Sequence, residues 1–195
     1  MTIKTAMALA AVVGGVLGSA SAASAQVFWN ESVDGDLSDN RLNPTAVTLA
    51  LGDNRLLGVV GPGDLDYLRI TLPAGLVLSG IILEAYESVD QAAFIAVQEG
   101  TIFTETNLNP EISNLLGYAL FGPAWVPVGE DLLPEMAVAP GAIGFTPPLT
   151  AANYTFWIQQ TGDPTTYTMN FVVIPTPGTI GLLAGAGLLA MRRRR

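Results

Sequence analysis

The sequence has no cysteine and no histidine, and its single lysine is Lys4. Without histidine or cysteine the chain cannot build a Ser-His-Asp or Cys-His catalytic group, and zinc lacks its usual ligands. A Ser-Lys pair would need a lysine in the body of the chain. The absence of cysteine also excludes disulfides, so an exported domain must gain its stability from core burial, with a bound ion as an additional source.

Positive charge is scarce between the two ends of the chain. All seventeen Asp and Glu residues lie between Glu31 and Asp163, where Arg41, Arg55 and Arg69 are the only basic residues, so this body carries a net charge of −14. Such a field repels nucleic acid phosphate and anionic lipid, which need Lys and Arg to neutralise them. We therefore expect no nucleic acid partner, and we expect cations to be the more natural partners.

The amino terminus has the pattern of a secretory signal peptide over residues 1–25. Lys4 is followed by an apolar run from Ala6 to Leu17 and by small residues that end as Ala23-Ser24-Ala25. This order predicts cleavage after Ala25, before Gln26, with Ala23 and Ala25 as the small residues that signal peptidase recognises. The secretion translocon and signal peptidase are the partners that this segment implies.

The body, residues 26–174, shows the two-residue hydrophobic alternation of β-strands. In Leu65–Leu72, for example, Leu68, Ile70 and Leu72 alternate with polar or aromatic residues. Such alternation is typical of strands with one buried face. The other predicted strands are Ala46–Leu51, Leu56–Val60, Leu76–Tyr86, Ala92–Gln98, Asn153–Gln160 and Tyr167–Val173.

Three segments of the body are less regular. Gly52-Asp53-Asn54 predicts a turn that joins Ala46–Leu51 and Leu56–Val60 as a hairpin. Residues 27–54 are polar and acidic, which favours an ordered loop or strand edge over a helix. Residues 104–150 contain seven of the thirteen prolines, and we expect long loops there with one or two irregular strands or a helical turn near Ile112–Leu120.

The last 21 residues, 175–195, resemble the PEP-CTERM sorting signal of exported bacterial proteins. They contain Pro175-Thr176-Pro177, an apolar run to Met191, and the cluster Arg192, Arg193, Arg194 and Arg195. The resemblance implies that an exosortase-type membrane enzyme recognises the proline motif while the arginines stay cytoplasmic. A helix over 178–191 would be about 21 Å long, short of the ~30 Å hydrocarbon core, which favours a transient anchor. A plain anchor that is retained is the alternative.

The body also resembles the bacterial pre-peptidase C-terminal domain. The resemblance rests on Gly63–Gly75, on the late strands Asn153–Gln160 and Tyr167–Val173, and on the acidic stretch Glu31–Asn40. It implies a β-sandwich that serves as an accessory module of secreted hydrolases and surface proteins. The fold class we expect is all-β: a single jelly-roll-like β-sandwich, flanked by an N-terminal signal helix and a short C-terminal hydrophobic helix.

Acidic residues are the clearest candidates for a binding site. Calcium takes six to eight hard oxygen ligands and tolerates loop geometry, so a structural Ca²⁺ site is predicted among grouped carboxylates. The candidate ligands are Asp34, Asp36, Asp39, Asp64 and Asp66. The spacing is not that of an EF-hand, and acidic loops are commonly only solvated.

The expected function is that of an exported cell-surface or extracellular protein with a structural or binding role and no enzymatic activity. The alternative is a calcium-dependent carbohydrate-binding module of the extracellular polysaccharide, with Trp157 as the glycan contact because it lies opposite the apolar face of its strand. A glycosidase built on two carboxylates is a more remote alternative.

Overall fold

The computed structural model of the protein describes residues 25–176, and within them nine strands form two packed sheets. The strands are β1 (Gln26–Asn30), β2 (Thr45–Val47), β3 (Gly52–Val60), β4 (Leu65–Thr71), β5 (Leu76–Glu87), β6 (Ala93–Glu99), β7 (Gly117–Phe121), β8 (Asn153–Gln159) and β9 (Thr165–Pro175). The helical elements are α1 (Glu31–Asp34), a 3₁₀ turn (Ile112–Asn114) and α2 (Leu132–Ala137).

The strand order is β1-β3-β9-β5 in the first sheet and β2-β4-β8-β6-β7 in the second. Neighbouring strands are antiparallel except for β1 beside β3 and β2 beside β4, which are parallel. The prediction of a mostly β, two-sheet body is therefore confirmed. The predicted signal helix and C-terminal helix, with Ala23, Pro177 and the four terminal arginines, lie outside the described residues.

The main core lies between the two sheets, where the alternation of each strand places its apolar side chains. Leu68 and Ile70 from β4, Phe156 from β8, and Met169 and Phe171 from β9 are all buried there. The aromatic rings of Phe156 and Phe171 meet edge to face at 5.5 Å. Burial of this apolar surface between the two sheets is the main source of stability in a β-sandwich, because both inner faces are removed from water on folding.

A second apolar layer lies on the opposite face of the second sheet. We call it the outer aromatic layer and define it by the strand residues Tyr67, Phe94, Tyr118 and Trp157. Residues 100–116, which we call the strap, cover this layer by contributing the buried Phe103 and Leu115.

Hydrogen bonds to the rest of the domain hold the strap in place. The guanidinium of Arg41 donates to the carbonyls of Phe103 and Thr104, at 3.2 and 2.7 Å. Gln98 donates to the carbonyl of Asn114, at 2.9 Å. The first part of the Pro-rich middle of the chain is therefore an ordered segment that packs on the outer aromatic layer.

The predicted hairpin around Gly52-Asp53-Asn54 is wrong. These three residues are the beginning of β3, and the strand before them, β2, belongs to the other sheet. Asn54 is fully buried, and its side-chain amide donates to the carbonyls of Ala50, Gly52 and Phe171. Asparagine usually favours turns, but here its side chain joins the segment before β3, at Ala50, to Phe171 of β9.

The helices correct two further expectations. The acidic amino-terminal stretch forms the edge strands β1 and β2, as expected, but it also contains one helical turn, α1. The start of α1 is capped because Asn30 Oδ1 accepts from the amide of Ser32 at 3.1 Å. In the Pro-rich middle, β7 and the 3₁₀ turn agree with the predicted irregular strand and turn, whereas α2 was not predicted. Within residues 25–176, no helix has the length and apolar character needed to cross a membrane.

Candidate cation site

Five carboxylates from three parts of the chain lie close together at the start of β4. We call Glu31, Asp36, Asp39, Asp64 and Asp66 the acidic cluster. Its members form two groups of three, Glu31 with Asp36 and Asp66, and Asp36 with Asp39 and Asp64. In each group, one carboxylate oxygen from each residue lies within 4.8 Å of the corresponding oxygens of the other two. Asp36 belongs to both groups and so lies between them.

Local turns bring these side chains together. Glu31 is the first residue of α1, and Gly35, with a φ of 91°, ends that turn and redirects the chain to Asp36. Asp64 closes the Gly61-Pro62-Gly63 turn by donating its amide to the carbonyl of Gly61, at 3.0 Å. Asp66 then lies on β4 itself.

Asp66 is the least solvated member of the acidic cluster. Its side chain has no exposed surface, and one oxygen, Oδ2, accepts a 2.6 Å hydrogen bond from the hydroxyl of Tyr167. The other oxygen, Oδ1, is buried and has no hydrogen-bond partner. Burial first, and then the neighbouring charge of Glu31, raises the pKa of Asp66 to about 9, although the bond from Tyr167 acts in the opposite direction.

Glu31 links the acidic cluster to the first sheet. Its two carboxylate oxygens accept from the backbone amides of Leu37, at 3.2 Å, and Val59, at 2.6 Å. These two bonds stabilise the charged form, but burial outweighs them, so that the pKa of Glu31 is raised. The carboxylate is thus held in a fixed position that faces Asp66.

The second group has a similar deficit of partners. Oδ1 of Asp64 is buried without a hydrogen-bond partner, and burial followed by the charges of Asp36 and Asp39 raises the pKa of Asp64. Oδ1 of Asp39 accepts from the backbone amide of Leu65 at 3.2 Å. Each of the two groups therefore contains one buried carboxylate oxygen that protein donors leave unsatisfied.

No basic side chain compensates this charge within the described residues, where the one ion pair joins Arg55 to Glu84. An unpaired buried carboxylate costs free energy unless it is protonated or meets a cation. A proton can satisfy Asp66 by bridging it to Glu31. A hard divalent cation can satisfy both groups, because it takes oxygen ligands from several carboxylates at once.

The structure brings together four of the five predicted metal ligands, Asp36, Asp39, Asp64 and Asp66. Asp34 belongs to neither group, because its Oδ2 accepts a 2.8 Å hydrogen bond from the amide of Asn30 and so closes the α1 turn. The residue missing from the predicted set is Glu31, which is part of the same acidic stretch but reaches Asp66 only through the fold.

Comparison with protein-family models, with curated proteins and with solved structures found no match for the chain. The functional assignment therefore depends on the geometry of the chain itself.

Trp157 lies on the predicted face of β8, opposite the main core, but it is only 1% exposed. The strap covers this face, so Phe103 packs edge to face against the indole at a ring distance of 5.6 Å. A glycan cannot stack on a covered ring, and the expectation of a glycan contact at Trp157 is corrected accordingly.

The first two residues of the predicted sorting motif are within the described chain. Pro175 ends β9 opposite Leu76, and the amide of Thr176 donates to the carbonyl of Gly75 at 2.8 Å. The final strand of the sandwich thus leads directly into the motif.

Proposed function

We propose that the chain is an exported cell-envelope or extracellular-matrix module with a structural or binding role, and that its acidic cluster binds calcium. The observation that carries the proposal is the buried, unpartnered Oδ1 of Asp66, a residue whose carboxylate lies in one group with those of Glu31 and Asp36. Calcium fits such a site better than magnesium, because it accepts many oxygens in irregular loop geometry. A jelly-roll-like topology and kinship with the pre-peptidase C-terminal domain are part of the same proposal.

The arrangement of the acidic cluster gives the ion a structural task. The ligands come from α1, from the loop after it, and from the turn that precedes β4, so one ion would join the amino-terminal segment to the second sheet. Asp36, shared by both groups, would bridge two ions if both sites fill. In a domain without disulfides, the bound ion would take over the stabilising role of a disulfide cross-link.

A non-catalytic role agrees with the accessibility of these groups. Asp66, the carboxyl whose pKa is most clearly raised, has no exposed surface and cannot reach a polymeric substrate. A general acid must come within hydrogen-bond distance of the bond that it protonates. A glycosidase is for this reason the weaker alternative, and a calcium-dependent carbohydrate-binding module is the stronger one.

Calcium binding is tested by isothermal titration calorimetry at neutral pH on a chain that begins at Gln26. We expect saturable binding by the parent chain and a loss of affinity of at least about tenfold in Asp36→Asn, which removes the shared ligand. Asp34→Asn is the matched control, because it removes an equal charge from the same stretch but no member of the acidic cluster. Equal affinity in all three chains would reject the cluster as the site.

Export and sorting are tested separately by intact mass spectrometry of the protein from membrane, surface and medium fractions of native cells. A mature chain that begins at Gln26 and lacks the segment after Pro177 supports the sorting proposal. A membrane-bound chain that retains Arg195 would make the tail a permanent anchor.

A further inference from the structure

The three tryptophans have different surroundings. Trp157 is buried, and Trp29 is half-buried with its indole N–H donating to the carbonyl of Gly35 at 3.0 Å. Trp125, in contrast, is 61% exposed, and its indole N–H has no hydrogen-bond partner among the described residues. Its ring and its indole N–H are therefore both accessible from solvent, and a tryptophan side chain offers an apolar face beside one polar donor.

The turn that carries Trp125 is rigidly built. The amide of Trp125 donates to the carbonyl of Gly122 at 3.1 Å, and the amide of Gly122 donates to the carbonyl of Val126 at 3.0 Å. The amide of Ala124 donates to the carbonyl of Gln91, which ties the turn to the start of β6. Gly122 has a φ of 125°, and a Cβ there would lie 2.7 Å from the Gln91 carbonyl, so only glycine fits.

Beside the exposed indole is a shallow cavity of about 210 Å³, which we call the tryptophan pocket. Its walls are Leu120, Ala124, Trp125, Val126 and Glu135. Glu135 is an exposed residue of α2, and among residues 25–176 its carboxylate has no hydrogen-bond partner. The pocket therefore combines an aromatic face, a free donor, a free acceptor and small apolar walls.

We propose that the tryptophan pocket binds a neutral hexopyranose unit of a polysaccharide. The apolar face of the sugar ring would stack on Trp125, and its hydroxyl groups would donate to the carboxylate of Glu135. Pockets of this kind bind by apolar contact and orient their ligand through a few polar groups. Because Glu135 and the net charge of the body repel anionic polymers, the ligand is a neutral one.

The strand registers place this pocket at the same end of the second sheet as the acidic cluster. Leu65 of β4 pairs with Gln159 of β8, Gln159 pairs with Phe94 of β6, and the neighbouring Ala93 pairs with Phe121 of β7. Asp64 precedes one end of this row, and the Trp125 turn follows the other. Three strand spacings separate them along the row, about 14 Å, so both sites lie at one end of the second sheet.

The inference depends on the proposed role as an exported binding module, but it does not require the cation. It is tested by affinity electrophoresis through gels that contain a soluble β-glucan, α-glucan or α-mannan, each run with calcium and with chelator. We expect one of these polymers to retard the parent chain. Retardation should fall about tenfold in Trp125→Ala and partly in Glu135→Gln.

Leu108→Ala is the matched control, because Leu108 is 90% exposed in the strap, which precedes β7, whereas the Trp125 turn follows it. Unchanged mobility of the parent chain in every neutral polymer would overturn the inference, as would equal retardation of Trp125→Ala. Self-association that Trp125→Ala abolishes would assign the surface to a second copy instead. Because calcium affinity is measured separately by calorimetry, failure of the pocket and failure of the acidic cluster give different results.

Discussion

The two sites at this end of the sheet differ in how they are connected to the fold. The acidic cluster is partly buried, and its most buried residue, Asp66, contacts Tyr167 of the opposite sheet. The tryptophan pocket lies on an exposed turn, and the side chains proposed to contact the sugar, Trp125 and Glu135, make no side-chain hydrogen bond within residues 25–176. We therefore expect the acidic cluster to affect both stability and binding, and the tryptophan pocket to affect only binding.

The largest effect expected is on thermal unfolding. At a calcium concentration about a hundred times its dissociation constant, the parent chain should gain about 2.7 kcal/mol, or about 5 to 10 °C in melting temperature. Asp66→Asn should lose this response, yet in chelator it should be at least as stable as the parent chain, because the amide is neutral and folding need not bind a proton to it. Equal calcium responses in both chains would show that the ion binds elsewhere.

Gly58→Ala tests the link between the two sheets. Gly58 pairs with Tyr167 across β3 and β9, and a Cβ on Gly58 would overlap the Tyr167 ring. We expect a loss of about 2 kcal/mol in urea unfolding, together with weaker calcium binding, because the displaced hydroxyl no longer holds Asp66.

Gly61→Ala is the control for this substitution. Its Cβ would meet Pro164 at ordinary contact distances of 3.5 Å or more, so its stability should stay close to that of the parent chain. If Gly58→Ala is as stable as Gly61→Ala, the account of the Tyr167 contact is wrong.

The pH dependence of stability should differ with and without the ion. In chelator, the pKa of Asp66 is raised from 3.8 to about 9 by burial and by Glu31, so the folded chain holds a proton that the unfolded chain releases. Its contribution is complete below pH 4 and is lost as the pH rises through about 9, so the melting temperature should fall over this range. Calcium replaces the proton and should reduce the fall, and Asp66→Asn should flatten it in chelator. A melting temperature that rises steadily from pH 5 to pH 9 in chelator would contradict this assignment.

The smallest effect expected on stability is that of Trp125→Ala. The side chain is largely exposed, so its removal should change the free energy of unfolding by no more than about 0.5 kcal/mol, even if polysaccharide binding is lost. A large destabilisation in urea unfolding would mean that Trp125 is a packing residue and would remove the contrast between the two sites.

The regular strands are predictable from the sequence, because alternation of apolar and polar residues indicates a strand with one buried face. Leu68, Ile70 and Phe156 lie on the core face as expected. The alternation also assigned Trp157 to the correct face of β8. The cover over that face could not be foreseen, because the strap has no periodicity and its placement depends on distant partners such as Arg41.

The candidate site was predictable only in part, for the same reason. Asp36 and Asp39 are near in sequence, and Asp64 and Asp66 follow a recognisable turn, so oxygen ligands on these two segments were visible. Glu31 and Asp34 look alike in the sequence, yet the α1 turn directs Glu31 toward Asp66 and leaves Asp34 as a cap. The sequence predicts a turn at Asn54, because its contact with the distant carbonyl of Phe171 depends on the fold.

The central claim is that carboxylates of the acidic cluster hold calcium in the mature protein. The most direct measurement is native mass spectrometry of the protein purified from its native cells without chelator, desalted and sprayed in the folded state. We expect the mass to exceed that of the polypeptide by one or two bound calcium ions. This increase should disappear on brief treatment with chelator and should be absent in Asp36→Asn. A folded chain with the mass of the polypeptide alone, even after incubation with millimolar calcium, would contradict calcium binding. In that case a proton shared between Glu31 and Asp66 would neutralise the buried charge.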